Sequence, residues 1–115
     1  MTKQEQGIYS FLGLCMKAGK VTSGETGTLQ NIQSGKAKLV IVSLDASDNT
    51  RKEMLNKCKS YNVKVKVFGQ KDLLGLSIGK SERSSLAITD QGLAKALIEK
   101  LQTIEQNGGE TNVKD

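Results

Sequence analysis

Histidine, proline and tryptophan are absent from the 115-residue chain, and its aromatic residues are two tyrosines and two phenylalanines. Without histidine, the common zinc-binding patterns and histidine-based acid–base catalysis are excluded. The two cysteines, Cys15 and Cys58, each lie among apolar or helical positions, which predicts small buried side chains rather than a disulfide or a metal site. The range of chemistry open to this chain is therefore narrow.

The chain also lacks a long apolar run. No stretch approaches the ~20 apolar residues that a membrane-spanning helix needs. No charged segment followed by an apolar core opens the sequence either, so no secretory signal is predicted. We therefore expect a cytoplasmic protein without a membrane partner.

Residues suited to catalysis are few. Asp45 and Asp48 lie close together in the sequence, but helix capping explains them better than an acid–base pair. The segment GKSERS at 79–84 contains Gly-Lys-Ser but lacks the first glycine of a phosphate-binding loop, because position 74 is a leucine. The sequence therefore predicts no enzyme activity, no cofactor and no bound metal.

Positive charge exceeds negative charge over most of the chain. The 17 Lys and Arg residues outnumber the 12 Asp and Glu residues, giving a net charge of +5. The last eleven residues, EQNGGETNVKD, are polar and rich in glycine, so we predict a flexible tail over 105–115 and a single domain over 1–104. The tail holds one lysine and three acidic residues, which leaves 16 basic and 9 acidic residues, or +7, in the domain. This charge favours a polyanionic partner.

Apolar residues at helical spacing alternate with runs typical of strands. The spacing predicts helices at 3–18, 23–34, 48–60 and from 91 onward, and their expected N-caps are Thr22 or Ser23, Ser47 or Asp48, and Asp90. Aliphatic and β-branched runs predict strands at 39–44, 63–68 and 85–89, with a short extended segment at 21–22. The alternation predicts an α/β fold, namely a three-layer α-β-α sandwich with a mixed sheet of about four strands.

A polar helix start and an apolar loop are the candidate binding features. Residues 24–28, Gly-Glu-Thr-Gly-Thr, should expose backbone N–H groups that can bind anions. After a short helical turn capped by Asp72, a loop over 73–84 carries Leu76 and Ile78 between glycines. Core packing and contact with an extruded base explain these two apolar residues equally well. The aromatic residues form no RNP-like motif, so a single-strand RNA module of that type is not expected.

The segment GETGTLQNIQSGKAKLVIVSLDAS resembles the glycine-led helix–strand core of the ribosomal-protein superfamily that binds kink-turn RNA, the L7Ae and L30e type. The segment LLGLSIGKSERSSLAITDQGLAKAL looks like the later loop–strand–helix block of the same family. The resemblance covers about Gly7 to Leu101 and implies an α-β-α sandwich.

The resemblance also implies which residues contact RNA. The helix start of the family usually reads Gly-x-Asn-Glu-x-x-Lys, or Gly-x-Lys-Gln-x-x-Lys in bacterial members, and its central pair reaches the guanines of sheared G·A pairs. Gly24 keeps this pattern, whereas Thr26, Gly27 and Gln30 depart from it. The apolar loop of the family, which packs on an extruded nucleotide, corresponds to Leu76, Ser77 and Ile78, and here that part is intact.

We therefore expect a non-catalytic, monomeric RNA-binding protein that recognises kink-turn or other structured (ribosomal) RNA. The expected RNA-contacting residues combine the helix start, the loop and nearby basic side chains: Lys20, Gly24, Glu25, Thr26, Gly27, Gln30, Lys36, Leu76, Ser77, Ile78, Lys80 and Arg83. One alternative is a module that docks on a protein or on the ribosome and has a degenerate RNA site. A second alternative, the substrate-presenting domain of an RNA methyltransferase, would require a partner chain.

Overall fold

The computed structural model describes residues 1–106 and the backbone of residues 112–113. The helices are α1 (Lys3–Lys17), α2 (Glu25–Gln33), α3 (Asp48–Ser60), α4 (Lys71–Ser77) and α5 (Gln91–Gln106). The strands are β1 (Val21–Ser23), β2 (Leu39–Val42), β3 (Lys64–Val67), β4 (Ser85–Ile88) and β5 (Asn112–Val113). The elements from α1 to α5 alternate in the order that the sequence predicts, whereas β5 was not predicted. In the part of the chain that the structure describes, no helix is long and apolar enough to cross a membrane.

The strands form one mixed sheet in the order β1-β4-β2-β3-β5. β2 and β3 are parallel, and the other neighbouring pairs are antiparallel. In the register, Val40 of β2 lies beside Val65 of β3 and beside Ala87 of β4. All four residues of β2 are buried, as the continuous apolar run predicts for a central strand.

Helices cover both faces of the sheet, which confirms the predicted three-layer sandwich. Leu39, Ile41, Leu86 and Ile88 pack against side chains of α1, α4 and α5. Side chains that alternate with these in β2, β3 and β4 pack instead against α2 and α3: Val40, Val42, Val65 and Ala87. Because successive side chains of a strand point to opposite faces, one apolar run supplies both halves of the core.

Two predicted helix starts are confirmed and two are wrong. Ser47 caps α3 by accepting a hydrogen bond from the N–H of Thr50, and the carboxylate of Asp90 accepts one from the N–H of Leu93. The cap of α2 is Gly24 rather than Thr22 or Ser23, because those two residues are paired with β4 as part of β1.

The second wrong cap concerns α4. Its N-cap is Gln70, and Asp72 lies inside the helix. The carboxylate of Asp45, more than twenty positions earlier in the chain, accepts the hydrogen bond of the first helical N–H, that of Lys71. The long separation explains why the local pattern around Asp72 gave the wrong cap.

The segment predicted as a loop over 73–84 is helical in its first half. α4 continues to Ser77, so Leu76 and Ser77 lie in its last turn and Ile78 is its C-cap. A loop over 79–84 then leads to β4. The helix is short, but the N–H of Lys80 donates back to the carbonyl of Gly75 and closes its end.

The C-terminal region begins with ordered residues. α5 includes Glu105, whose carboxylate lies 3.6 Å from the ammonium of the buried Lys66. Asn112 and Val113 pair with Val67 and Lys66 of β3. The flexible tail predicted over 105–115 otherwise falls on residues 107–111 and 114–115, which lie outside the described residues, and it stays a prediction.

Candidate RNA interface

The start of α2 lies at the end of the sheet where β2 finishes and β4 begins. Gly24 has φ 86° and ψ 162°, a conformation that favours glycine, and no side chain caps the helix. Its N–H donates to the carbonyl of Ser85, and its carbonyl accepts from the N–H of Thr28. The N–H groups that follow in the first turn have no carbonyl partner within the helix. A helix end of this kind suits an anionic ligand, and the hydrogen bond to Ser85 fixes its position on the sheet.

Gly27 lies in close contact with β1. A Cβ atom built at Gly27 would lie 2.7 Å from the Cγ2 methyl of Thr22, closer than real Cβ contacts allow. The carbonyl of Gly27 also accepts a hydrogen bond from the side-chain amide of Asn31. Gly27 therefore has a packing role, because a side chain there requires Thr22 to move.

The exposed side of the α2 start carries polar side chains. Glu25, Thr26 and Gln30 are all exposed. Thr26 and Gln30 are four positions apart, so they lie on the same side of the helix. One carboxylate oxygen of Glu25 accepts a hydrogen bond from the hydroxyl of Thr50 at 3.2 Å, which links α2 to α3. This surface can offer backbone N–H groups, a hydroxyl and an amide to a ligand.

Arg83 joins the α2 start to the loop after α4. Its Nε donates to the hydroxyl of Ser23 at 3.1 Å. Its Nη1 donates to the carbonyl of Glu82 at 2.9 Å and to both oxygens of Ser81. Ser23 and Arg83 are 60 positions apart in the sequence, and the guanidinium holds the segments around them together. The side chain of Arg83 remains partly exposed.

The loop after α4 lies directly on the helix. A Cβ atom at Gly75 would lie 1.9 Å from the carbonyl oxygen of Ser81, so only glycine permits this approach. Lys80, which begins the returning segment, is exposed. The loop therefore follows α4 back toward its N-terminus and positions Lys80 and Arg83 along one edge.

The structure separates the two apolar residues that the sequence analysis grouped. Leu76 is 72% exposed, whereas Ile78 is 4% exposed and belongs to the core with Leu74. Ser77 lies between them, and its hydroxyl donates to the carbonyl of Leu74. Core packing thus explains Ile78. Leu76 is an exposed apolar side chain on a helix whose neighbouring residues, Leu74 and Ile78, are packed in the core.

Two predicted residues lie elsewhere. The carbonyl of Lys20 accepts from the N–H of Thr89, at the opposite end of β4 from Ser85. Lys36 follows the C-terminus of α2, and a helix of nine residues is ~13 Å long. Lys20 and Lys36 are therefore at the far end of the sheet from Gly24.

One basic residue near the site was missed by sequence reasoning. The carbonyl of Lys71, the first residue of α4, accepts a hydrogen bond from the N–H of Arg83, so these two basic residues are neighbours. The signal that could have found Lys71 is its place just before the apolar turn of α4. We use the term α2–α4 surface for the residues at this end of the sheet: Gly24, Glu25, Thr26, Gly27, Gln30, Lys71, Leu76, Lys80 and Arg83.

A mixed sheet between two helix layers, with a glycine-led helix and a basic loop at one end, defines a known class of small protein. The model of the Ribosomal protein L7Ae/L30e/S12e/Gadd45 family matches residues 6–98, and the chain belongs to this family. The resemblance found in the sequence is therefore confirmed.

Curated relatives fall in two groups. The RNA-binding protein YlxQ of Bacillus subtilis (strain 168) is 44% identical over 90 residues, which cover 78% of this chain and 90% of the relative. The RNA-binding protein YlxQ of Enterococcus faecium is 38% identical over 91 residues, covering 78% and 86%. The large ribosomal subunit protein eL30 of Archaeoglobus fulgidus is 36% identical over 86 residues, covering 73% and 95%.

Solved structures share the fold. A protein with unknown function from Bacillus halodurans C superposes with a TM-score of 0.78 and 39% identity, covering 81% of this chain and 94% of the other. The Giardia lamblia 15.5kD RNA binding protein superposes with a TM-score of 0.74 and 20% identity, covering 92% and 91%. The second similarity concerns the fold alone.

Proposed function

We propose that this chain is a non-catalytic RNA-binding protein that recognises structured RNA through the α2–α4 surface. The observation that carries the proposal is that an uncapped helix start and an exposed leucine lie at the same end of the sheet, where Arg83 links the start of α2 to the loop after α4. The names of the YlxQ relatives, which describe RNA-binding proteins, support it. The basic charge of the chain is consistent with a polyanionic ligand.

Each part of the surface has a distinct task in this proposal. The free N–H groups of the first turn of α2 donate to phosphate oxygens or base edges. Lys71, Lys80 and Arg83 neutralise phosphates, which supplies affinity that depends on salt. Leu76 packs against an unstacked base, because its side chain is already exposed and a buried contact would remove it from water.

A kink-turn is the RNA element that we propose for this site. Recognition of its sheared G·A pairs rests here on the backbone of α2 and on Thr26 and Gln30, because Gly27 has no side chain. The close contact of Gly27 with Thr22 explains how this position can be a glycine without loss of packing. We further propose that the protein acts as a monomer in the cytoplasm, on ribosomal or other structured RNA.

The proposal is tested by titrating the protein with a kink-turn RNA and with a control RNA whose sheared G·A pairs are replaced by Watson–Crick pairs. Both titrations are run at two salt concentrations. We expect tighter binding to the kink-turn RNA, with a preference that persists at the higher salt. Equal, salt-sensitive binding to the two RNAs would leave only a basic surface and would contradict kink-turn recognition.

A single substitution tests the apolar contact. Leu76→Asp places a charge on an already exposed side chain, so the fold should be retained while RNA affinity falls about tenfold or more. Ser10→Asp, at an exposed position of α1, is the charge-matched control and should keep wild-type affinity to within about threefold. Ile78 is unsuitable for this test because it is buried, and a charge there would unfold the protein.

A pull-down from lysate with and without ribonuclease tests the nature of the partners. Partners that disappear after ribonuclease treatment are held through RNA, as we propose. Partners that remain after the treatment would indicate a module that docks on other proteins.

A further inference from the structure

The end of the sheet opposite the α2–α4 surface holds a concave basic surface. A groove of about 500 Å³ lies between the turns that precede β2 and β3 and the first turns of α5. It is lined by three lysines together with an aromatic and an amide side chain, and we call these residues the lysine groove: Lys38, Tyr61, Asn62, Lys64 and Lys95.

The turn after α3 presents an aromatic ring to this groove. Tyr61 is the C-cap of α3, and Asn62 follows with φ 57°, a left-handed conformation that asparagine tolerates. Tyr61 is 47% exposed. The other aromatic residues, Tyr9, Phe11 and Phe68, are buried or packed against the core. The ring of Tyr61 therefore contributes little to the core and is available as a flat surface.

The lysines around the ring are exposed and lack acidic partners within the described residues. The ammonium of Lys38 donates to the carbonyl of Gly35 at 3.1 Å, next to the exposed Lys36. Across residues 1–106, no carboxylate lies within ion-pair distance of Lys38, Lys64 or Lys95, and Glu99 is the single acidic residue in the lining. The charge of the lining is therefore net positive, with three lysines against one glutamate.

A second groove of about 630 Å³ continues this surface along β3. It shares Asn62 and Lys64 with the lysine groove and adds Lys59 from α3. Val63 and Ile98 contribute apolar side chains to both grooves. The combined surface is elongated, which suits a chain-like ligand better than a small compact anion.

We propose that the lysine groove binds a single-stranded RNA segment, with a base stacked on Tyr61 and the flanking phosphates on Lys38, Lys64 and Lys95. A positively charged groove combined with an exposed aromatic ring is the arrangement that binds single strands without sequence preference. This inference rests on the proposed function only in taking RNA as the ligand.

The two surfaces lie at opposite ends of the sheet, so one RNA can bind both without its two parts overlapping. Lys38 and Ser43 flank β2 at its two ends, and five residue steps of extended chain span ~17 Å. An RNA with a structured element and an adjoining single strand would contact both ends of the sheet.

The test uses a twelve-nucleotide oligouridine, which has a strand to stack but no kink-turn. Lys64→Gln with Lys95→Gln removes two groove charges at exposed positions, and Lys52→Gln with Lys100→Gln is the control with the same charge change outside the groove. We expect the groove variant to weaken oligouridine binding about tenfold and to lower the salt dependence by about one to two phosphate contacts, and the control to change neither. Tyr61→Ala should weaken binding without changing the salt dependence. Thermal unfolding verifies that each variant is folded.

The outcomes separate this inference from the proposed function. If Leu76→Asp removes kink-turn binding while oligouridine binding is lost only in the groove variant, both stand. If the wild type shows no kink-turn preference but its oligouridine binding depends on the groove, the proposed function fails and the groove assignment remains. Equal oligouridine binding by the groove variant and its control would overturn the inference. A polyglutamate peptide that binds the groove as tightly as oligouridine would also overturn it, in favour of an acidic protein partner.

Discussion

At the scale of single residues, the absence of a side chain has opposite effects at two helical glycines, Gly75 and Gly7. A Cβ atom at Gly75 would meet the carbonyl of Ser81 at 1.9 Å, whereas one at Gly7 of α1 would have no atom within 4 Å. Gly75 is therefore required for the contact between α4 and the loop that carries Lys80 and Arg83. Gly7 only lowers the helix propensity of α1.

This contrast gives a matched pair of predictions. Gly75→Ala should lower the free energy of unfolding by about 1–3 kcal/mol, because the loop must move away from α4. It should also weaken RNA binding, since Lys80 and Arg83 move with the loop. Gly7→Ala should raise the free energy of unfolding by about 0.5–1 kcal/mol and leave binding unchanged. Chemical denaturation and RNA titration measure both effects, and a neutral Gly75→Ala would contradict the close contact.

Because the two thiols are buried, we expect the free energy of unfolding to fall as the pH rises above 9. Burial raises the pKa of Cys58 from 9.0 to about 12, and burial followed by the charge of Asp90 raises the pKa of Cys15. A folded protein that keeps a thiol proton loses stability once the unfolded chain can release that proton. The contribution of Cys58 is therefore fully present below pH 9 and declines as the pH rises from 9 toward 12.

The resulting prediction concerns the difference between wild type and Cys58→Ala. The difference in free energy of unfolding should change by at most about 1.4 kcal/mol per pH unit above pH 9, in the direction that disfavours the wild type. Urea denaturation at pH 8 and pH 10 measures it. A difference that is constant across this range would mean that the thiol of Cys58 titrates alike in the folded and unfolded chains.

Local sequence patterns predicted some of these residue positions and not others. The caps Ser47 and Asp90 were predictable, because a cap and the helix it serves are adjacent in the chain. The exposure of Leu76 and the burial of Ile78 could not be predicted, because the spacing of two residues does not tell which one faces a core formed by other elements.

At the scale of elements, the contact between α2 and β1 controls what position 27 can carry. A side chain at Gly27 meets the methyl of Thr22, and Thr22 is held in β1 by its pairing with Ala87. The helix-start pattern that this chain resembles has glutamate at this position, or glutamine in its bacterial form. The strand and the helix therefore have to change together for a longer side chain to be accepted.

We predict that Gly27→Gln alone destabilises the protein by about 1–2 kcal/mol, and that Thr22→Ser combined with Gly27→Gln recovers most of this loss. The recovered double variant should bind kink-turn RNA more tightly than the wild type, because it offers a side chain to the G·A pairs. A double-mutant cycle on stability and RNA titration test this. Additive stability losses would show that Thr22 does not limit position 27.

The extent of α4 illustrates an element that the sequence did not predict in full. Gly75 within it, Gly79 just after it and its short length indicate a loop by local rules. Hydrogen bonds from distant residues, such as that from Lys71 to Asp45, and the close packing of Ser81 stabilise it as a helix. The helices and strands of the core were predictable, because their apolar periodicity is long and regular.

At the scale of the whole molecule, exposed basic residues lie at both ends of the sheet. Lys80 and Arg83 lie at one end, and Lys20, Lys36 and Lys38 lie at the other. From the sequence we expect Lys20 and Lys36 near Gly24, because they are close to it in the chain. The strand β1 and the helix α2 each run the length of the sheet, which carries these neighbours in sequence to opposite ends.

The separation of the two ends leads to a prediction about additivity. On an RNA that joins a kink-turn to a single strand, Lys80→Gln and the Lys64→Gln, Lys95→Gln pair should each weaken binding by about threefold to tenfold. Combined, their effects on the Kd should multiply, because sites more than ~10 Å apart contribute independently. Titrations of the single and combined variants provide the measurement, and a combined loss no greater than the larger single loss would show that one RNA cannot occupy both ends.

The hydrogen bond from the N–H of Gly24 to the carbonyl of Ser85 should affect how fast the protein recognises RNA. It ties the helix start to the first residue of β4, two positions after Arg83, so the N–H donors and the guanidinium belong to one rigid frame. We therefore expect this frame to be ordered in the free protein, so that no loop closure precedes contact with RNA. Encounter should then be governed by diffusion and electrostatic attraction, and differences in affinity among RNAs should arise chiefly from how long each complex lasts.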